Sequence, residues 1–180
     1  GVTVRKYPGV WLSDDHGQTW KLSKIPVPAE IDTPRNLSSE ARVSELKGGT
    51  LIYNERTRNT GRQLSWSSNG GESWSELTHA GDLQVTQCNG SLLTLRRKDG
   101  ELTDVLLFSA PSVGGRTNGL VHVSKDGGKT WPIVKKVVKG NFAYSALVQL
   151  EGGKVGLFYE TGQYRTIAFL RLDLAMLVSE

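Results

Sequence analysis

The chain has 180 residues, enough for a domain with a sizeable core, and its 37% hydrophobic content is that of a globular protein rather than a disordered one. A net charge of +4 comes from scattered basic residues with no nucleic-acid-like run; the mild excess would suit an anionic small molecule. Cys88 is the only cysteine, which excludes an intrachain disulfide and a cysteine-based metal site; His16, His79 and His122 lack metal-ligand spacing, and neither a leader segment nor a membrane-spanning run is expected.

Short strand-like segments follow one another along the whole chain. The opening GVTVRKYPGVWLS reads as a strand already in progress, with GVWLS at 9–13 leading into the octamer SDDHGQTW. KLSKIPV (21–27), ARVSEL (41–46), TLIYNE (50–55) and RQLSWSS (62–68) come next, and the last runs into a second octamer, SSNGGESW. After it come SLLTLRR (91–97), DVLLFSA (104–110) and GLVHVS (119–124), then a third octamer, SKDGGKTW. PIVKKVV, YSALVQL, KVGLFYE and RTIAFLRL complete the series. All are short, rich in Val, Leu, Ile and Tyr, and bounded by Gly, Asn and Asp turns. No amphipathic helix is expected; the tail LDLAMLVSE reads as a helical turn or a last strand.

The octamers start at residues 13, 67 and 124, so they recur at 54 and then 57 residues. Four strands in a period of about 40–55 residues describe a propeller blade. The octamer then sits at the hairpin between a blade's third and fourth strands. Its third residue (Asp15, Asn69, Asp126) is placed to accept hydrogen bonds from turn N–H groups, its fifth (Gly17, Gly71, Gly128) to adopt positive φ, and its closing Trp to pack between strands. The pattern Ser-x-Asp-x-Gly-x-Thr-Trp is the Asp-box, a structural staple that recurs because the blade recurs.

The segments between the boxes carry a resemblance. SSEARVSELKGGTLIYNERTR (38–58), LLFSAPSVGGRTNGLVHVSKDGGKTWP (106–132) and GNFAYSALVQLEGGKVGLFYETG (140–162) resemble, in order, three segments of the exo-α-sialidase (neuraminidase) family. The resemblance spans essentially the whole chain. It implies an all-β fold, the six-bladed β-propeller of sialidase type, of which this chain supplies about three to four blades as the C-terminal portion of the catalytic domain. The family's first triad arginine and its Asp acid/base then lie upstream of the first octamer. Arg5 is in the wrong blade to be that arginine, and Asp14 and Asp15 belong to the staple.

On this resemblance Arg56 and Arg116 match the second and third arginines of a triad that grips the sialic acid carboxylate. The residue type suits the task, because guanidinium is planar, permanently charged and binds carboxylate bidentately. Tyr144 matches the nucleophile: a neutral oxygen can approach an anomeric carbon bearing a carboxylate, where Asp or Glu would be repelled. With a pKa of about 10 it needs a base, and Glu40 matches the Glu that hydrogen-bonds it. Glu160 matches the Glu that orients the first triad arginine; without that arginine it is expected to be exposed or paired elsewhere. Glu45 matches a strand position, and Arg58, Arg62 and Arg96 lack a motif and are expected to be surface charges.

The implied reaction is a retaining hydrolysis that releases terminal α-linked sialic acid, with no metal or organic cofactor. The expected partners are sialylated glycans and the upstream half of the same propeller or a complementary chain, not nucleic acid or a membrane. That substrate class favours a secreted, cell-surface or periplasmic setting. A non-catalytic glycan-binding Asp-box propeller and a purely structural one are the alternatives, and a trans-sialidase would share the same residues.

Overall fold

Each octamer folds into the same local structure in the computed structural model, which describes residues 8–30, 40–58 and 60–179. Arg5 and the first residues of the opening strand fall outside these. The third-position side chain accepts the backbone N–H of the seventh residue: Thr19 onto Asp15 at 2.9 Å, Ser73 onto Asn69 at 3.0 Å and Thr130 onto Asp126 at 3.0 Å. The first-position serine has a role the sequence did not announce. Its Oγ accepts the N–H of the fifth-position glycine, at 2.7, 2.9 and 2.8 Å in the three boxes. At Gly128 the turn needs glycine twice over: φ is +87°, and a Cβ would meet Ile52 Cδ1 at 2.3 Å.

The boxes join third strands to fourth strands. One four-stranded antiparallel sheet is β3 (Ala41–Glu45), β4 (Leu51–Arg56), β5 (Arg62–Ser67) and β6 (Thr78–Ala80), and the second box connects its last two strands. The next is β7 (Ser91–Arg96), β8 (Leu102–Pro111), β9 (Gly119–Ser124) and β10 (Ile133–Lys136), with the third box between β9 and β10. On either side lie a two-stranded sheet, β1 (Gly9–Leu12) with β2 (Lys21–Lys24), around the first box, and a three-stranded sheet, β11 (Ser145–Leu150), β12 (Lys154–Thr161) and β13 (Thr166–Asp173). These are blades in sequence order. At three residues, β6 is too short to carry a periodic signal. The tail forms a helical turn, α1 (Leu174–Val178), and buries Leu177.

The core lies between the sheets. Side chains alternate along β8, so Leu106, Phe108 and Ala110 meet Leu46, Ile52 and Leu64 of the preceding sheet, while Leu107 joins Val121, Val123 and Val155 on the other side. Burial on both faces explains the unbroken apolar run LLF in β8. The inner strands converge: Ser44 on β3 meets Thr94 on β7 at 2.6 Å, and the backbone N–H of Leu147 on β11 donates to Ser91 on β7 at 2.9 Å. At the two ends of the arc apolar side chains are exposed, Trp11, Trp20 and Leu22 on the β1–β2 sheet and Phe158, Ile167 and Phe169 on the β12–β13 pair.

Two sequence expectations need correction. Arg62 is not a surface charge: it is 0% exposed, donates to Asn54 at 2.7 Å and to the Cys88 carbonyl at 3.0 Å, and stacks on Phe108 at 5.1 Å. Burial pulls its pKa down to about 9 against the charge of Glu55, which leaves it cationic at neutral pH. The closing tryptophans also differ, Trp131 and Trp74 being buried and Trp20 exposed. Arg58 and Arg96 are exposed as expected.

His122 on β9 faces away from Val121 and Val123 and is buried, and neither ring nitrogen has a hydrogen-bond partner among the described residues. Burial, only partly offset by the charge of Asp82, depresses its pKa from 6.5 to about 4. Between these values the unfolded chain binds the extra proton, so this contribution to stability is complete above pH 6.5 and lost as pH falls towards 4. A shift of that size corresponds to about 3 kcal/mol. Urea unfolding at pH 7 and pH 4 should show a loss of about this size in the unsubstituted protein that His122→Leu lacks.

Candidate functional site

The site forms where the inner strands begin. Glu40 immediately precedes β3, and the Arg56 N–H donates to its carbonyl at 2.8 Å, so Glu40 and Arg56 extend the β3–β4 ladder by one pair. Residues opposed across an antiparallel ladder share a face, and Arg56 Nη1 donates to Glu40 Oε2 at 2.7 Å. The same device operates two blades on. Tyr144 immediately precedes β11, the Glu160 N–H donates to the Tyr144 carbonyl at 2.9 Å, and the Glu160 carboxylate accepts the Tyr144 N–H at 3.2 Å. Glu160 is half-buried, and its carboxylate holds the Tyr144 backbone.

Across the intervening sheet the Tyr144 hydroxyl donates to Glu40 Oε1. This bond joins residues 104 positions apart and ties the first full sheet to the last. Arg116 comes from the loop after β8. That loop is anchored by the Thr117–Asn141 bridge and by the Phe142 N–H donating to the Arg116 carbonyl at 3.2 Å. The Arg116 guanidinium lies over the Tyr144 ring at 5.2 Å. Glu40, Arg56, Arg116, Tyr144 and Glu160 are therefore gathered in one place, while Glu45 lies exposed at the far end of β3.

The electrostatics separate the two partners of the central bond. Burial is the largest single influence on Glu40 and opposes its ionisation. The Tyr144 hydrogen bond, the Arg56 hydrogen bond and charge, and the Arg116 charge together outweigh it, so its pKa lies below the ordinary glutamate value. The Tyr144 phenol is pushed up, first by its hydrogen bond to Glu40, then by burial and the Glu40 charge, against the pull of Arg56 and Arg116. At neutral pH the proton rests on the tyrosine and the charge on the glutamate. Glu40→Gln removes the main cause, so the Tyr144 phenol should titrate at lower pH in that variant; ultraviolet difference titration against a Tyr144→Phe blank measures it. Cys88 lies buried close by, and burial pushes its thiol up, which keeps it un-ionised.

One neighbour has no counterpart in the sequence motifs. Tyr164, in the β12–β13 hairpin, sets its ring 5.5 Å from the Arg116 guanidinium, on which Tyr144 also stacks. The stretch TGQY after Glu160 carries no signal for this, beyond a glycine two residues from Glu160. Arg116, Tyr164, Phe142, Ala143 and Glu160 line a cavity of about 210 Å³. Among the described residues no cluster of His, Cys, Asp and Glu could hold a metal ion, and no helix is long and apolar enough to cross a membrane.

The BNR repeat-like domain model matches residues 6–157. Over 171 residues the chain is 33% identical to a sialidase of Micromonospora viridifaciens, covering 92% of this chain and 25% of the relative. It is 30% identical over 160 residues to a sialidase of Bacteroides fragilis, covering 85% and 28%. Among solved structures, the Hadza microbial sialidase Hz136 superposes with a TM-score of 0.77 at 29% identity, covering 96% of this chain and 33% of that one. A leech intramolecular trans-sialidase complexed with 2,7-anhydro-Neu5Ac superposes at 0.76 with 25% identity, covering 94% and 28%. The chain thus spans about a quarter of the length of these curated relatives.

Proposed function

Because the chain belongs to the BNR repeat-like domain family, with the fold of a sialidase-type propeller of which it supplies part, we propose that it carries half of the active site of an exo-α-sialidase. The observation that supports this most is the Tyr144–Glu40–Arg56 chain of hydrogen bonds, with Arg116 above the tyrosine ring.

In this reading Arg56 and Arg116 hold the sialic acid carboxylate over Tyr144. Ionised Glu40 takes the phenolic proton as the Tyr144 oxygen bonds to the anomeric carbon and the glycosidic bond breaks. The leaving oxygen takes a proton from an acid that the family resemblance assigns upstream of the first octamer. Water then displaces Tyr144 from the anomeric carbon, giving a proton back to the conjugate base of that acid while Glu40 returns its proton to the tyrosine, so configuration is retained overall. The positive charge developing on the sugar is met by the negative Tyr144–Glu40 pair. Glu160 faces the cavity of about 210 Å³ beside Arg116, which has room for the first triad arginine from an upstream blade. The exposed apolar end faces are those on which further blades, in the same chain or another, would pack.

A fluorogenic α-sialoside tests the reading, supplied to the chain alone and to the chain joined to its upstream half. Turnover by the joined protein, with free sialic acid as product, is expected; transfer products would make it a trans-sialidase. A joined protein that binds sialic acid but turns nothing over would replace the enzyme with a glycan-binding propeller.

A further inference from the structure

We propose that Tyr164 is a positioning residue for Arg116, one half of an aromatic sandwich that presents the guanidinium edge to a substrate carboxylate. The Arg116 Cζ lies 5.2 Å from the Tyr144 ring centroid and 5.5 Å from that of Tyr164, and its Nη1 lies 3.4 Å from the Tyr164 hydroxyl. Both rings thus lie within cation–π range of the same guanidinium. A carboxylate binds guanidinium in its plane, through paired N–H donors. The ring contacts and the one N–H directed at the Tyr164 hydroxyl leave the other N–H donors of Arg116 for a carboxylate. The stack removes freedom from a long side chain that rotamer entropy would otherwise spread over many positions, and that ordering favours binding.

The backbone of the hairpin supports a dedicated role. Gly162, Gln163 and Tyr164 follow one another at φ of 56°, 55° and 69°. Glycine occupies the left-handed region freely, but a glutamine there is uncommon and a bulky tyrosine is an outlier of the kind that clusters at functional sites. Packing does not account for the strain, because Tyr164 is 61% exposed. What the turn achieves is to carry the ring from the β12–β13 hairpin to the Arg116 guanidinium. Nothing else about the Thr161–Tyr164 stretch requires an aromatic residue.

The role in substrate binding rests on the sialic acid reading above; the sandwich itself does not. Two measurements on the propeller completed by its upstream half separate them. The first is the NMR signal of the Arg116 Nε–H group without ligand. Ring currents from two stacked tyrosines should shift it upfield, and Tyr164→Ala should relieve much of that shift while Tyr164→Phe preserves it. An unchanged signal in Tyr164→Ala overturns the sandwich whatever the protein binds. The second is calorimetric affinity for sialic acid and for its methyl ester, which has lost the anionic carboxylate. Tyr164→Ala should weaken sialic acid binding about threefold to tenfold, Tyr164→Phe should stay within about twofold, and ester binding should not respond to either. Equal losses for acid and ester would mean that Tyr164 touches the sugar directly, and unchanged acid affinity would mean that it does not position Arg116; both overturn the proposal. If the unsubstituted protein binds neither ligand, the sialic acid reading fails, and the NMR result still decides the sandwich.

Discussion

Tyr144→Phe is expected to lower turnover of an α-sialoside by on the order of 10³-fold in the completed propeller, while affinity for sialic acid stays within about twofold. The substitution removes one oxygen and leaves the ring that stacks against Arg116 at 5.2 Å. The Arg56–Glu40 ion pair at 2.7 Å needs no tyrosine and should remain. A phenol ionises to only about one part in a thousand at neutral pH, and this one is held higher still by Glu40, so the proposed attack would depend on transfer of its proton to Glu40 at the moment of reaction. Glu40→Gln should therefore cost about 10²-fold by itself and little more when Tyr144 is already Phe, because the two act as one unit. A Tyr144→Phe protein with undiminished turnover, or losses that multiply in the double variant, would remove Tyr144 as nucleophile.

What could be read in the sequence was local. Ser, Asp or Asn, and Gly in each octamer take part in hydrogen bonds that span five residues or fewer, so the turn is written in adjacent letters. Glu40 and Arg56, and likewise Tyr144 and Glu160, are cross-strand neighbours on single hairpins, and hairpin spacing preserves the relation. What was misread depends on distant chain. Arg62 shares a seven-residue stretch with Arg56 and Arg58 and looks no different from them. It is buried because Phe108, from the next sheet, closes over it and the Cys88 carbonyl accepts a hydrogen bond from its guanidinium. Tyr164 meets Arg116 only because a left-handed turn and a loop from another sheet meet in space.

The boxes also make a stability prediction that sequence likeness would get wrong. Trp131 and Trp20 close nearly identical octamers, and each indole N–H donates to its own box glycine, at 3.1 and 3.0 Å. Trp131 is 1% exposed and Trp20 is 59% exposed. The difference arises from position in the arc. Trp131 belongs to the core between the two four-stranded sheets, meets Phe108 edge-on at 6.2 Å, and its backbone N–H donates to the Asp82 carboxylate at 2.5 Å. Truncating it leaves a cavity lined by side chains from both sheets, which rigid strands cannot collapse. Trp131→Ala is accordingly expected to cost about 3–5 kcal/mol, and Trp20→Ala to fall within about 0.5 kcal/mol, in urea unfolding of this chain. Acrylamide should quench Trp20 fluorescence readily in the chain alone. Joining upstream blades should then protect Trp20 and raise the cost of its truncation towards that of Trp131. If Trp20 stays fully quenchable in the joined protein, the β1–β2 end is a true edge and the blades do not continue across it. If it becomes protected, the exposed indole marks the face on which the ring is completed.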